Sequence, residues 1–299
     1  MTVLEDMRIF VATVESGSFT SCAEKLGLSK QFVSRRVSDL EDRLGARLML
    51  RTTRRLSVTD LGQAYLERCL KIIEDVDDAE AFVGRGLEKP RGRIKISAPV
   101  SFGSLHLAPA LADFLAEMHD IQLDVVLNDR MVDIVGEGFD VGLRIGQLED
   151  STLLARRLAD VCMLLVASPK YLASAAPLNS PDDLSRHSCL LYGHSPGVDW
   201  GFRSNGKIGK VAVKGRLLAN NGDITMSSAL KDQGIARLPD FMVCKHIESG
   251  ALVEVLPAFR LAGGGLYAVY AQHRQRSLAV QALIQYLAKA FSNPSWRIR

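Results

Sequence analysis

Gly17, Gly27 and Gly45 each close a stretch of apolar residues at helical spacing, and this punctuation constrains the chain more than any other feature. Leu4, Met7, Phe10, Val11 and Val14 share one helical face, which predicts an amphipathic helix over about 3–16 ended by Gly17. A second helix covers about 20–26. Gly27-Leu28 then turns the chain, and Ser29 is a good N-cap for a third helix that runs to Leu44, where Gly45 supplies the C-terminal cap. Two helices joined by a short turn containing Gly form the helix-turn-helix pattern. Ala23 is small where the helices must approach closely, and Val33, Val37 and Leu40 supply the buried face of the third helix.

Charge is concentrated in the same place. From Lys30 to Arg55 there are eight basic residues against three acidic ones, whereas the whole chain carries a formal charge of +3. A basic surplus confined to one segment is the electrostatic footprint expected for phosphate. Near the start of the third helix the outward positions are Lys30, Gln31, Ser34 and Arg35. Gln suits adenine edges, Lys and Arg suit guanine edges or phosphate, and Ser suits either. A recognition helix reads bases mainly with its N-terminal residues. The segment Leu48–Val58 follows as a hairpin, with Arg51, Arg54 and Arg55 clustered where a basic wing lies along the backbone or enters the minor groove. These features predict double-stranded DNA as a partner.

At 299 residues the chain has room for about two domains. Hydrophobic residues make up 47% and charged residues 24%, a soluble globular composition. No apolar run reaches the roughly 18 residues needed to span a bilayer. The start, MTVLEDMRIF, lacks a basic-then-apolar signal pattern, which places the chain in the cytoplasm with no membrane partner. The five cysteines (Cys22, Cys69, Cys162, Cys189 and Cys244) are dispersed without a CxxC pair. That argues for reduced thiols over a disulfide framework or a zinc site.

Thr59 can cap a long helix through about Glu88. Within it Leu66, Cys69, Ile73, Val76, Val83 and Leu87 recur in steps of three and four, interrupted only by Glu80. Such a stripe either packs on its own domain or pairs with a second copy. The preceding DNA module and the following Lys89-Pro90-Arg91-Gly92 break favour a dimerisation helix, with Leu66, Ile73, Val76 and Val83 at the interface. A dimer supplies two reading heads for a two-fold related site.

From Arg93 the periodicity changes. Ile94 and Ile96 begin a strand, followed by a helix at about 105–118, a strand at 121–127, a helix at 132–137 and a strand at 140–145. The alternation restarts over about 163–266, punctuated by Ser168-Pro169, Ser180-Pro181 and Gly263-Gly264-Gly265. A strand at 267–271 and a helix at 278–291 end the chain. Alternating strands and helices imply open α/β sheets.

The stretch FVATVESGSFTSCAEKLGLSKQFVSRRVSDLEDRLGARLMLRTTRRLSVTDLG, from Phe10 to Gly62, resembles the LysR-type transcriptional regulators. It departs at Gln31-Phe32, where that family more often has small residues or Pro. The resemblance extends more loosely through DRMVDIVGEGFDVGLRIG and NGDITMSSALKDQGIARLPDF. It implies a multidomain α+β and α/β chain: a winged helix-turn-helix over 1–58, a linker helix over 59–89, and an effector-binding domain over 90–299 with the fold of periplasmic solute-binding proteins. That domain divides into subdomain I (92–163 and 267–299) and subdomain II (164–266), with the effector between them. The family dimerises through the linker helix and often forms tetramers. RNA polymerase is a further candidate partner.

Open α/β sheets place ligands at the carboxyl ends of their strands. Ser101, Phe102 and Gly103 follow the first strand at a helix N-terminus, where backbone N–H groups favour an anion. Asn128 and Gly146 end the second and third strands. Trp200, Phe202, Asn221 and Gly222 lie in the second subdomain. The family binds effectors at matching loops, so these nine positions form the expected site. Aromatic rings with few fixed charges suggest a small organic acid or an aromatic compound, although Asp223 opposes an anion unless it points away.

Enzyme motifs weigh little. Gly193-His194-Ser195-Pro196-Gly197 fits G-x-S-x-G, yet the oxyanion hole of that elbow needs the N–H of the residue after Ser, and Pro196 has none. The chain has no Walker loop and no G-x-G-x-x-G. The six histidines show no close pair at helical ligand spacing, so neither metal nor cofactor is implied. Two other readings stay open: an α/β solute-binding or catalytic protein with an accessory helical domain, and an effector-independent nucleoid binder.

Overall fold

The computed structural model describes residues 2–51, 56–83, 89–148, 151–193, 198–204, 207–260 and 263–296. The chain forms two compact units, Met1–Glu88 and Lys89–Arg299.

In the first unit, α1 (Val3–Ser16), α2 (Phe19–Leu26) and α3 (Lys30–Leu44) end at Gly17, Gly27 and Gly45, all left-handed with φ of 63–66°. Such a backbone is nearly free of strain only for glycine. The helix starts are capped as well. Thr2 and Glu5 form a capping box, the Ser18 hydroxyl accepts from Ser21 N, and the Ser29 hydroxyl accepts from Phe32 N. Phe10, Cys22, Val33 and Leu40 are fully buried where the three helices meet. Burying a side chain such as Phe10 contributes roughly 2–3 kcal/mol.

The hairpin β1 (Met49–Arg51) and β2 (Leu56–Val58) pairs antiparallel, Met49 opposite Val58. The long helix α4 (Asp60–Val83) follows. Its start is fixed twice. The Thr59 hydroxyl donates to Arg47 O at 2.8 Å and accepts from Gly62 N at 2.9 Å. Gly62 is itself obligatory, because a Cβ there would lie 2.0 Å from Leu48 O.

In the second unit the chain runs β3 (Gly92–Ala98), α5 (Val100–Phe102), a π turn at Gly103–Leu107, α6 (Ala108–Glu117), β4 (Ile121–Leu127), β5 (Val141–Gly146) and β6 (Leu154–Val161). It then crosses to β7 (Met163–Ala167), α7 (Pro169–Ser174), β8 (Cys189–Tyr192), the hairpin β9 (Val198–Ser204) and β10 (Lys207–Val213), β11 (Leu217–Ala219), α8 (Gly222–Leu230), β12 (Ile235–Pro239), α9 (Asp240–Glu248) and β13 (Val253–Glu254). It returns as β14 (Gly264–Tyr270) and ends in α10 (Leu278–Ala290). Two five-stranded mixed sheets result, ordered β4-β3-β5-β14-β6 and β11-β8-β12-β7-β13. The first is tied to the C-terminal segment by a buried ion pair, Arg274 to Asp140 at 2.7 Å, with Asp140 also accepting from Lys95 N.

Two expectations change. No helix forms over 132–137. The Asp133 carboxylate accepts from Gly136 N at 3.0 Å, a local bond that competes with helix, and Gly138 turns left-handed at φ 74°. What remains is a turn closed by Phe139 N to Ile134 O at 2.9 Å. The helix expected from about 105 starts at Val100, because its first turns run through the π turn. Gly103 permits that path: a Cβ there would lie 2.3 Å from the Leu127 side chain.

Candidate functional site

The head presents one outward face. Lys30, Gln31 and Arg35 are exposed on α3 and Ser34 is half-buried. Phe32, the residue that departs from the family pattern, turns inward and packs against the head core. It therefore supports α3 from below. Arg54 and its neighbours 52–55 lie outside the described residues.

Among the described residues, three of the cations between Lys30 and Arg55, namely Arg36, Arg43 and Arg47, are engaged internally. Arg36 pairs with the buried Asp6 of α1, and Arg43 lies 3.5 Å from the same carboxylate. Arg47 pairs with Glu41 at 3.2 Å. Glu41 is 2% exposed, and its Oε1 accepts from Leu48 N at 2.7 Å and Met49 N at 2.9 Å. One carboxylate thus fastens the hairpin to the reading helix. A charge count treats Glu41 as a loss of phosphate affinity, whereas its position makes it the anchor of the wing.

Along α4 the stripe divides. Leu66 and Ile73 pack against the head core and Cys69 is fully buried there, so these positions face inward on their own domain. The expected interface shrinks because the head needs a fourth helix to close its core. Val76 instead lines an exposed apolar groove with Ile72, Asp75, Ala79 and Glu80. The side chain of Val83 lies outside the described residues.

The second unit holds a cavity of about 260 Å³ between its two sheets. Ser101, Phe102, Asn128 and Gly222 line it. Asn221 sits at its edge, and its amide donates to Asp129 at 3.2 Å. The remaining expected positions do not line it. Gly103 is buried in the π turn. Gly146, at φ 132°, lies where β14 passes so closely that a Cβ on Gly264 would be 2.9 Å from the Gly146 backbone. Trp200 and Phe202 are 3% and 6% exposed and fill the core under the β9–β10 hairpin. They pack because their strand alternates inward at these two positions, so the aromatic character expected of the site is missing from this pair.

The helix N-terminus expected to attract an anion is already supplied with carboxylates. Val100 N donates to Asp129 at 3.0 Å, and the Ser101 hydroxyl donates to Asp223 at 2.8 Å. Both bonds tie segments of different sheets or loops together. The cavity's cations come from strands instead. Arg144 on β5 and Arg237 on β12 both line it, and burial pushes both guanidinium pKa values down. Arg144 donates to Leu143 O at 2.9 Å. Burial raises the Tyr192 phenol, with a smaller push from Asp129. Sequence reading missed both arginines. The available signal was a single cation inside an apolar strand, Ile235-Ala-Arg-Leu-Pro239 and Val141-Gly-Leu-Arg-Ile145.

Two family descriptions match the chain. Residues 4–63 match the bacterial regulatory helix-turn-helix protein, lysR family, and residues 87–292 match the LysR substrate binding domain. The HTH-type transcriptional regulator PtxR of Pseudomonas aeruginosa is 36% identical, over 99% of this chain and 95% of its own length. The HTH-type transcriptional activator TtdR of Escherichia coli is 31% identical over 95% and 92%. Among solved structures, CrgA of Neisseria meningitidis superposes with a TM-score of 0.63 at 31% identity, covering 98% of this chain and all of that one. The Vibrio cholerae virulence activator AphB does so at 0.60 and 28% identity, covering 97% and 99%. No described helix is long and apolar enough to cross a membrane. With the head, the two-sheet unit and both family descriptions in agreement, the chain belongs to the LysR family of transcriptional regulators, carrying a helix-turn-helix DNA-binding domain and an effector-binding domain.

Proposed function

We propose that this regulator acts in the cytoplasm as a dimer or tetramer on an interrupted inverted repeat, and that a small molecule in the C-terminal cleft sets its grip. The carrying observation is the outer face of α3, where Lys30, Gln31 and Arg35 stay exposed while Arg36 and Arg43 are held by Asp6. Lys30, Gln31, Ser34 and Arg35 meet the major groove, and Arg54 is assigned to the wing on sequence grounds. The working division is residues 1–58 for DNA binding, 59–89 for the linker and 90–299 for the effector. Within the last, Ser101, Phe102, Asn128 and Gly222 are assigned to the ligand, and Asn221 to the rim.

The groove of Ile72, Val76 and Ala79 supports pairing through α4, since an apolar face of this kind on a surface helix is stabilised by a second copy. An effector shifts the operator complex only through unequal affinity for open and closed clefts. The complex is presented to RNA polymerase at the promoter.

Footprinting on the DNA upstream of the protein's own gene, with and without small organic acids, tests this reading. Two protected half-sites about one helical turn or a multiple apart are expected. Uniform, sequence-independent protection would overturn it. Ile72→Asp should dissociate the dimer in sedimentation and leave half-site binding weak.

A further inference from the structure

Charged side chains lining a cavity normally find internal partners, because an unpaired ion in a half-buried site is unfavourable. In this cleft Arg130 pairs with Glu137 at 2.7 Å. Asp129 accepts from Val100 N and from the Asn221 amide, and Arg144 donates to Leu143 O. Among the described residues, Arg237 is the one charged lining side chain without a hydrogen bond or ion pair. It also lines the small pocket behind the cleft, but the carboxylate there, Glu254, is held by Arg260 at 2.6 Å.

A second group is unsatisfied in the same cavity. The side-chain amide nitrogen and oxygen of Asn128 are both buried without a partner. Asn128 follows β4 of the first sheet, its own N–H donating to Ala98 O at 2.9 Å. Arg237 belongs to β12 of the second sheet. The two unmet polar groups therefore sit on opposite walls of one cavity. Its volume of about 260 Å³ lies just below the usual range of ligand sites, about 300 to 1,000 Å³, which suits a small molecule.

We propose that the effector is a small organic acid whose carboxylate pairs with Arg237 and whose second polar group meets the Asn128 amide. This rests on the cleft being the effector site. It moves the anion from the helix N-terminus, where Asp129 and Asp223 already stand, to the opposite wall. It also gives one ligand a hold on both walls, since the same molecule satisfies a group on each sheet. Arg237 is an interaction partner of the ligand and not a structural strut, since it holds nothing else.

The test is titration calorimetry on the full-length protein with short straight-chain mono- and dicarboxylates, their methyl esters and amides, and inorganic phosphate. Acids are expected to bind and the neutral analogues not to. Arg237→Gln should weaken the best acid by about thirtyfold or more, as loss of one partner of a desolvated charge pair does, with Arg237→Lys recovering part of the affinity. The ligand-free Arg237→Gln protein should melt no lower than the parent, which separates lost binding from lost folding. Esters that bind and alter the operator footprint as well as the acids do would leave the cleft reading standing and overturn the charge assignment. Phosphate binding more tightly than any carboxylate overturns the organic acid. Silence from every compound, acid and neutral, overturns both readings.

Discussion

The Ser101 hydroxyl donates to the Asp223 carboxylate at 2.8 Å, and this bond joins the helix start after β3 to the start of α8 beneath the other sheet. A second bond, from the Asn221 amide to Asp129, runs beside it. Together they hold the cleft edges without a ligand. Ser101→Ala removes the donor and leaves a half-buried carboxylate with one partner fewer. A hydrogen bond to a charged group contributes about 1.5–3 kcal/mol. The melting temperature of the effector-binding domain should fall by several degrees, at about 2–4 °C per kcal/mol. Asp223→Asn keeps an acceptor and should lose less. Calorimetry checks both, and equal melting of Ser101→Ala and parent would show that this bond does not hold the cleft.

Glu41 yields a prediction whose sign opposes simple electrostatics. Removing a negative charge next to DNA should strengthen phosphate binding. Glu41→Ala, however, deprives Leu48 N and Met49 N of their acceptor. Each buried donor left unmet costs about 1–3 kcal/mol. The hairpin then loosens from α3. Operator affinity should drop, and the head should unfold at lower denaturant than the parent. Tighter operator binding by Glu41→Ala in a fluorescence polarisation assay would refute the anchoring role.

The head was legible because its signals are local. Left-handed glycines and Ser, Thr caps act within a few residues, so Gly17, Gly27, Gly45, Ser29 and Thr59 mark boundaries without reference to the rest of the molecule. The strands at 94–96, 121–127, 140–145 and 267–271 were legible for the same reason, whereas β6 (Leu154–Val161) and the strands within 163–266 were not placed one by one. What escaped depends on partners distant in sequence. Arg36 reads as a phosphate contact until Asp6, thirty positions away, is placed beside it. Trp200 and Phe202 read as ligand stackers until their hairpin covers a core. Whether Asp223 points toward the helix start or away from it is not legible until Ser101, across the cleft, is seen to donate to it. Arg237 carries no motif at all; only the cavity around it gives it meaning.

Arg35 and Arg36 are neighbours with opposite expected phenotypes. Arg35 is exposed, so Arg35→Ala should leave the head's stability unchanged, weaken operator binding by at least ~1 kcal/mol and, for a phosphate contact, reduce the salt slope by about one. Arg36→Ala strands the buried Asp6, whose carboxylate Arg36 pairs with. Breaking such a pair by removing one partner costs about 3–5 kcal/mol when it is fully buried. With Arg36 partly exposed and Arg43 still 3.5 Å from Asp6, the loss should fall below that range. Paired melting and binding measurements separate the two. Equal melting of both variants would contradict the division between a reading arginine and a bracing one.

Asp240 links stability to pH. It is 3% exposed at the first turn of α9, where its carboxylate accepts from Phe241 N at 2.9 Å and its own N–H donates to Cys162 O at 2.8 Å. Burial pushes its pKa up to about 6 from 3.8, against the opposing pull of backbone hydrogen bonds to the carboxylate from Cys162 and Phe241 and of the Arg260 charge. The folded state therefore holds a proton that the unfolded chain has already released between those two values. Where the native state binds more protons, stability falls as pH rises. The contribution of Asp240 is thus most favourable below its unfolded value, declines as pH climbs through the folded one, and is constant above it. Asp240→Asn keeps an acceptor for Phe241 N and removes the ionisation. Its melting temperature should exceed that of the parent at pH 7.5 and converge with it near pH 4. A parent and variant that stay parallel across that range would show that Asp240 ionises as easily in the folded protein as in the unfolded chain.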